Sequence, residues 1–111
     1  VSPDALLCQE ETFGPVAGLI PYDNDAEVLA LANATPSGLA AYVFTQNINR
    51  ATWFIEKLEV GMVGLNSGSI STEVAPFGGC KQSGIGREGS KYGIEEYVEP
   101  KLVYSKINIT Y

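Results

Sequence analysis

Apolar and polar positions along this chain switch between two periods. Residues 16–21 (V-A-G-L-I-P) form a short apolar run, the pattern of a buried strand. Asn24 follows as a helix N-cap, with Glu27 at the third helical position, a capping box in which Asn replaces Ser or Thr. Val28, Leu31 and Ala32 recur at helical spacing, and the helix is expected to stop near Ala34, because Thr35 precedes Pro36. Gly38 opens a second strand over 39–45 (L-A-A-Y-V-F-T), rich in β-formers. Asn49 is the expected cap of the next helix, in which Ala51, Phe54, Ile55 and Leu58 make one apolar stripe. Ile48, just before that cap, is placed to staple onto Trp53. Gly61 falls where a helix C-cap is wanted, and 62–65 is a third strand.

Strand, helix, strand, helix, strand with short connections is the pattern of right-handed parallel crossovers. Residues 16–66 are therefore expected to form a parallel βαβαβ unit, half of an open α/β sheet, too little to cover both of its faces. Residues 66–89 differ in kind. They are rich in glycine and serine, have little periodicity, and make a long loop of the sort that often carries function. A helix is expected over 87–98, interrupted by Gly93 and ended by Pro100. Residues 101–109 (K-L-V-Y-S-K-I-N-I) have the character of a last strand whose lysines protect an edge.

Composition narrows the functions open to such a chain. At 111 residues it is one domain or part of one. The chain opens at Val1 without a charged-then-apolar leader, and a segment of a longer protein is expected. Seven Lys and Arg stand against 13 Asp and Glu, for a net charge of −6. That balance disfavours a nucleic-acid partner, which needs a basic face. No stretch is long and apolar enough to span a membrane, so no membrane partner is expected. Histidine is absent, which removes Ser-His and Cys-His catalysis and the commonest metal ligand from this chain; no metal site is expected. Cys8 and Cys80 lie far apart in no C-x-x-C, which suits a reducing compartment, the cytoplasm or the mitochondrial matrix.

One motif invites a specific reading. Residues 84–89 (G-I-G-R-E-G) fit G-x-G-x-x-G, the fingerprint of a dinucleotide-binding turn. That fingerprint needs a strand before it, a helix after it and an acid at the end of the next strand. The residues before Gly84 (P-F-G-G-C-K-Q-S) are no strand, and about twenty residues on lies Ile109, not an acid. The glycines are instead expected to make tight turns, with Lys81 and Arg87 anchoring the loop through salt bridges or carbonyl contacts.

The segments "EETFGPV" (10–16), "GLAAYVF" (38–44), "GMVGLN" (61–66) and "PFGGCKQSGIGREGSKYGIEEY" (76–97) come in an order and spacing that resembles the aldehyde dehydrogenase superfamily, most closely its succinate-semialdehyde branch. The resemblance covers nearly the whole chain. It implies an α/β fold in which residues 1–100 are the C-terminal part of the catalytic domain and 101–111 are an oligomerisation strand and tail. It also implies oxidation of a semialdehyde to the acid with NAD or NADP. A cysteine nucleophile and a glutamate base are implied upstream, so no catalytic residue is expected in this chain.

By the same resemblance Glu11 matches the carboxylate that binds a cofactor ribose, and Phe13 the aromatic that packs on the nicotinamide end. Ser71 matches a serine that helps hold the substrate's distal carboxylate, with cationic partners expected from upstream. Phe77 matches the aromatic wall of the aldehyde tunnel. Cys80 departs from the aliphatic residue usual there and, like Cys8, is expected to act as a packing residue. Two other readings stand beside this one: a non-catalytic assembly module as isolated, forming a homo-oligomer (dimer or tetramer) through the last strand, and a dehydrogenase for another ω-carboxylated semialdehyde such as glutarate semialdehyde.

Overall fold

The computed structural model describes residues 1–108. It begins with a short helix that the sequence pattern does not announce, α1 (Leu6–Gln9), closed by a hydrogen bond from the Glu10 amide to the Leu6 carbonyl. Residues 16–21 are not a strand. A strand exists through its ladder, and here the Leu19 carbonyl accepts from the Val1 amino group instead, at 2.7 Å. The expected βαβαβ unit therefore loses its first strand.

Helix α2 (Asp25–Asn33) forms where its caps put it. The Asn24 side chain accepts from the Glu27 amide at 2.9 Å, and the Glu27 carboxylate reaches back to the Asp23 amide at 3.3 Å. Asp25 and Glu27 place negative charge on the first turn, where the helix dipole favours it. Ala34 is the C-cap.

The strand expected over 39–45 is shortened to β2 (Ala40–Val43), and a separate two-residue strand, β1 (Ser37–Gly38), precedes it. Helix α3 (Ile48–Lys57) carries the chain from β2 to β3 (Met62–Leu65), and the two strands pair in parallel from Ala40↔Met62 to Val43↔Leu65. This βαβ unit is the part of the expected sheet that forms. The cap of α3 is Asn47, whose side chain accepts from the Arg50 amide at 3.1 Å, not Asn49. Thr45 favours this start, because its hydroxyl receives the Asn47 amide. Ile48 then becomes the first helical residue, so it cannot act as a staple preceding the cap. Of the expected apolar stripe, Ala51 at 2 % and Phe54 at 8 % exposure supply the core, whereas Ile55 is 43 % exposed and Leu58 is the C-cap. Trp53 meets Phe54 edge to face.

The two longer helices are tied together by polar contacts. Arg50 forms an ion pair with Asp25 and a hydrogen bond to the Tyr22 hydroxyl. The bond to Asp25, the largest cause, raises the guanidinium pKa above its ordinary value. The Asn33 amide donates to the Lys57 carbonyl and accepts from the Glu59 amide, joining the end of α2 to the end of α3.

Helix α3 ends at Leu58, whose extended backbone serves as the C-cap in place of Gly61. Gly61 instead permits a close backbone approach, since a Cβ there would lie 2.0 Å from the Gly78 carbonyl oxygen. After the long loop, β4 (Cys80–Lys81) returns antiparallel to β1. The expected helix over 87–98 reduces to a 3-10 turn, Gly93–Tyr97. Glu88 gives both its amide and its carbonyl to Phe77, and Gly89 and Ser90 have φ of +68° and +53°, so no α-helix can pass through them. Residues 101–108 form no ladder, and Leu102 is 94 % exposed. The expected strand is unpaired here because no second backbone lies beside it; its last position, Ile109, and the remainder of the tail lie outside the described residues. The radius of gyration is 20.7 Å, against about 13 Å for a compact domain of this size. Much apolar surface is consequently uncovered.

Candidate functional site

The carboxyl end of β3 leads directly into the loop that carries Ser71. Gly64 lets this loop fold back over the strands: a Cβ there would lie 2.8 Å from Ile70 Cγ2 and Tyr42 Cδ1 and 2.9 Å from the Ser67 carbonyl oxygen. Ser67 Oγ donates to the Ser69 carbonyl and accepts from the Ser69 amide, which tightens the turn. The result is a surface hollow of about 230 Å³, lined among others by Tyr42, Met62, Ser69, Ser71 and Phe77. The fold thus brings Ser71 and Phe77 to one place. No lining residue of this hollow is charged, and among the described residues the Ser71 hydroxyl has no hydrogen-bond partner.

Phe77 is fixed from the other side. Its amide donates to the Glu88 carbonyl at 2.9 Å and its carbonyl accepts from the Glu88 amide at 2.8 Å. It also lines a neighbouring hollow of about 350 Å³ with Arg87, Glu96 and Tyr97. The glycine run borders that second hollow, and its geometry opposes a phosphate there. The Arg87 amide donates to a Glu96 carboxylate oxygen at 3.3 Å, and the same carboxylate stands against Gly86. An anion would meet a negative charge where a phosphate cradle presents free N–H groups. The run works as a turn, with Gly84 at φ +105°.

Lys81 and Arg87 anchor the loop through carbonyls, as the sequence led us to expect. Lys81 donates to the Asn33 and Thr35 carbonyls and pairs with Glu59 at 2.6 Å. Arg87 donates to the Gly79 and Gly86 carbonyls at 2.7 and 2.8 Å. Cys80 donates its thiol to the Glu59 carbonyl at 3.1 Å and lies close enough to Gly38 to leave no room for a Cβ there. That is the environment of a packing residue. Cys8 is also a free thiol, and it is exposed.

Glu11 and Phe13 lie elsewhere. Glu11 borders a wide hollow of about 610 Å³ with Cys8, Ile20, Leu31 and Pro36, which shares no lining residue with the Ser71 hollow. Phe13 is 94 % exposed. This chain does not by itself bring Glu11 and Phe13 to Ser71 and Phe77. Among the described residues no group of three His, Cys, Asp or Glu side chains is arranged to hold a metal.

Asn66 is a further residue of this region that the sequence pattern did not single out. Its φ is +52°, and its side-chain amide grips both backbone groups of Thr45, at 2.9 Å each. An Asn just after a strand and before a Ser-Gly-Ser loop was the available signal, since Asn tolerates the left-handed region better than most residues.

Residues 1–103 match the model of the aldehyde dehydrogenase family. A mitochondrial succinate-semialdehyde dehydrogenase of Oryza sativa subsp. japonica is 58 % identical over 103 residues, covering 93 % of this chain and 20 % of the relative. A glutarate-semialdehyde dehydrogenase of Pseudomonas putida is 54 % identical over 103 residues, covering 93 % and 22 % respectively. An aldehyde dehydrogenase from Bacillus cereus, solved as its NAD+ complex, superposes with a TM-score of 0.92 at 44 % identity, over 97 % of this chain and 22 % of that one. The chain thus spans about a fifth of the length of the proteins it matches. On the match over 1–103 and the shared backbone, it belongs to the aldehyde dehydrogenase family.

Proposed function

We propose that residues 1–100 form the C-terminal part of the catalytic domain of a semialdehyde dehydrogenase, and that the complete enzyme oxidises succinate semialdehyde to succinate with NAD or NADP. The observation that carries this reading is the hollow shared by Ser71 and Phe77, in which an unengaged hydroxyl sits among apolar and aromatic walls. Such a site suits a short carbon chain ending in a carboxylate: Ser71 donates a charge-assisted hydrogen bond to that carboxylate, and Phe77 walls the chain. The hollow has no cation of its own, so the balancing charge belongs to another part of the enzyme. The names of the rice and P. putida relatives support an ω-carboxylated substrate, and chain length distinguishes succinate from glutarate semialdehyde.

Glu11 and Phe13 fit a nicotinamide dinucleotide in their chemistry. Among the described residues no hydrogen bond or ion pair engages the Glu11 carboxylate, which leaves both oxygens free to accept two vicinal hydroxyls. The exposed Phe13 ring offers a face for a planar group. When bound, the cofactor supplies the hydride acceptor. The nucleophilic cysteine and the glutamate base of the family lie outside this chain in this reading, so the isolated chain is inactive. Aldehyde turnover by the isolated chain would refute that. The free state of both cysteines supports a reducing compartment, cytoplasm or mitochondrial matrix.

The test is Ser71→Ala in the complete enzyme. It should raise KM for succinate semialdehyde roughly tenfold or more, the effect of losing a hydrogen bond to a charged group. KM for an uncharged aldehyde of similar length should change little. Equal effects on both aldehydes would sink the carboxylate role.

A second reading concerns assembly and rests on the uncovered side chains of Leu102, Val103, Tyr104 and Ile107. An unpaired segment of this kind suits strand addition to a neighbouring subunit, giving a homo-oligomer. Deleting residues 101–111 should lower the mass of the complete enzyme in solution; an unchanged mass would refute it.

A further inference from the structure

We infer that Asn66 is a positioning residue that sets the exit direction of the 67–77 loop and thereby places Ser71 opposite Phe77; its bearing on substrate choice rests on the semialdehyde reading above. The parallel ladder of β2 and β3 ends with the Asn66 amide donating to the Val43 carbonyl at 2.8 Å. A regular strand would carry on beside Thr45. Asn66 instead takes φ +52°, which turns the main chain away. Its side chain then completes the ladder in place of a backbone: Oδ1 accepts from the Thr45 amide and Nδ2 donates to the Thr45 carbonyl, both at 2.9 Å. The main chain is free to cross over Gly64, where Ile70 and the Ser67 carbonyl come too close for any Cβ.

Few residues can replace Asn here. Glycine allows the positive φ but has nothing with which to pair Thr45. Aspartate can accept from the amide, but it sets a carboxylate oxygen against the Thr45 carbonyl. Alanine does neither well. The loop then has two fixed ends, Asn66 on Thr45 and Phe77 on Glu88, and Ser71 lies between them. An error in exit direction at Asn66 is carried to the Ser71 hydroxyl, and a small misplacement of a positioning group is costly.

The experiment compares Asn66→Gly and the near-isosteric Asn66→Asp with the unaltered complete enzyme. Steady-state kinetics with succinate semialdehyde and with an uncharged aldehyde are read beside deuterium uptake in residues 67–77. Both variants are expected to raise KM for the semialdehyde roughly tenfold, with kcat and the uncharged aldehyde's KM within about twofold, and to speed exchange in the loop. Unchanged exchange in the loop overturns the inference, whatever the kinetics. So does a parallel rise of KM for both aldehydes, which would mark a general structural defect. Faster exchange without a selective KM change, in an enzyme where Ser71→Ala does show selectivity, overturns the link from Asn66 to substrate choice and leaves the semialdehyde reading standing. An enzyme that never prefers the carboxylated aldehyde refutes the semialdehyde reading, and with it this link, while the exchange result still decides the anchor itself. Should Asn66→Gly fail to fold, Asn66→Asp gives the same readouts.

Discussion

Gly61 and Gly78 cross with no side chain between them: the position of a Cβ on Gly61 lies 2.0 Å from the Gly78 carbonyl oxygen. The start of β3 is thereby held against the end of the 67–77 loop. Gly61→Ala should lower stability by about 1–3 kcal/mol, the usual cost of forcing atoms into a filled space. Thermal unfolding of the complete enzyme checks it, with Gly68→Ala as control. Gly68 has no neighbour that a Cβ would meet, so that change should stay within about 0.5 kcal/mol. Equal melting temperatures for the two variants would contradict the crossing.

Asn47 and Asn49 stand two positions apart and differ in role. Asn47→Ala removes the acceptor for the Arg50 amide and should cost about 1 kcal/mol. Asn49→Ala, inside the helix, should cost under about 0.5 kcal/mol. Melting temperatures in the reverse order would move the helix start.

Glu11→Gln keeps the shape of the side chain and removes its charge. In the complete enzyme KM for the cofactor should rise roughly tenfold or more, as expected for hydrogen bonds that lose a charged acceptor. The melting temperature should be unchanged, because no described residue bonds to that carboxylate. An unaltered cofactor KM would remove the ribose contact.

Cys80→Ser preserves a donor to the Glu59 carbonyl and a similar volume. Its kcat is expected to stay within about twofold of the original, because the thiol is engaged by the Glu59 carbonyl and packed against Gly38. A loss of turnover by orders of magnitude would make Cys80 a participant.

What could be read from the sequence divides by the range of the interactions involved. The Asn24–Glu27 cap was legible because its partners are three residues apart. The start of α3 was misplaced by two residues because Asn47 and Asn49 carry the same local signal, and only the Thr45 hydroxyl favours the first. Residues 16–21 have strand composition without a strand, because a ladder needs a distant partner that composition does not encode. The helix expected over 87–98 failed because Phe77 takes both backbone groups of Glu88. Ser71 and Phe77 were singled out through family resemblance, and the fold sets them on one hollow. Asn66 escaped notice because its hydrogen bonds span 21 positions.

The pairing of Phe77 with Glu88 also governs which length changes the family can accept. It closes residues 78–87 into a ring, and Arg87 crosses that ring to the Gly79 carbonyl. A residue added or removed inside the ring would have to be absorbed between the Phe77–Glu88 pair and the Arg87–Gly79 contact, at the expense of one of them. Residues 99–108 form no ladder within this chain. Members of the family should therefore hold the spacing from Phe77 to Glu88 constant while their sequences diverge around it.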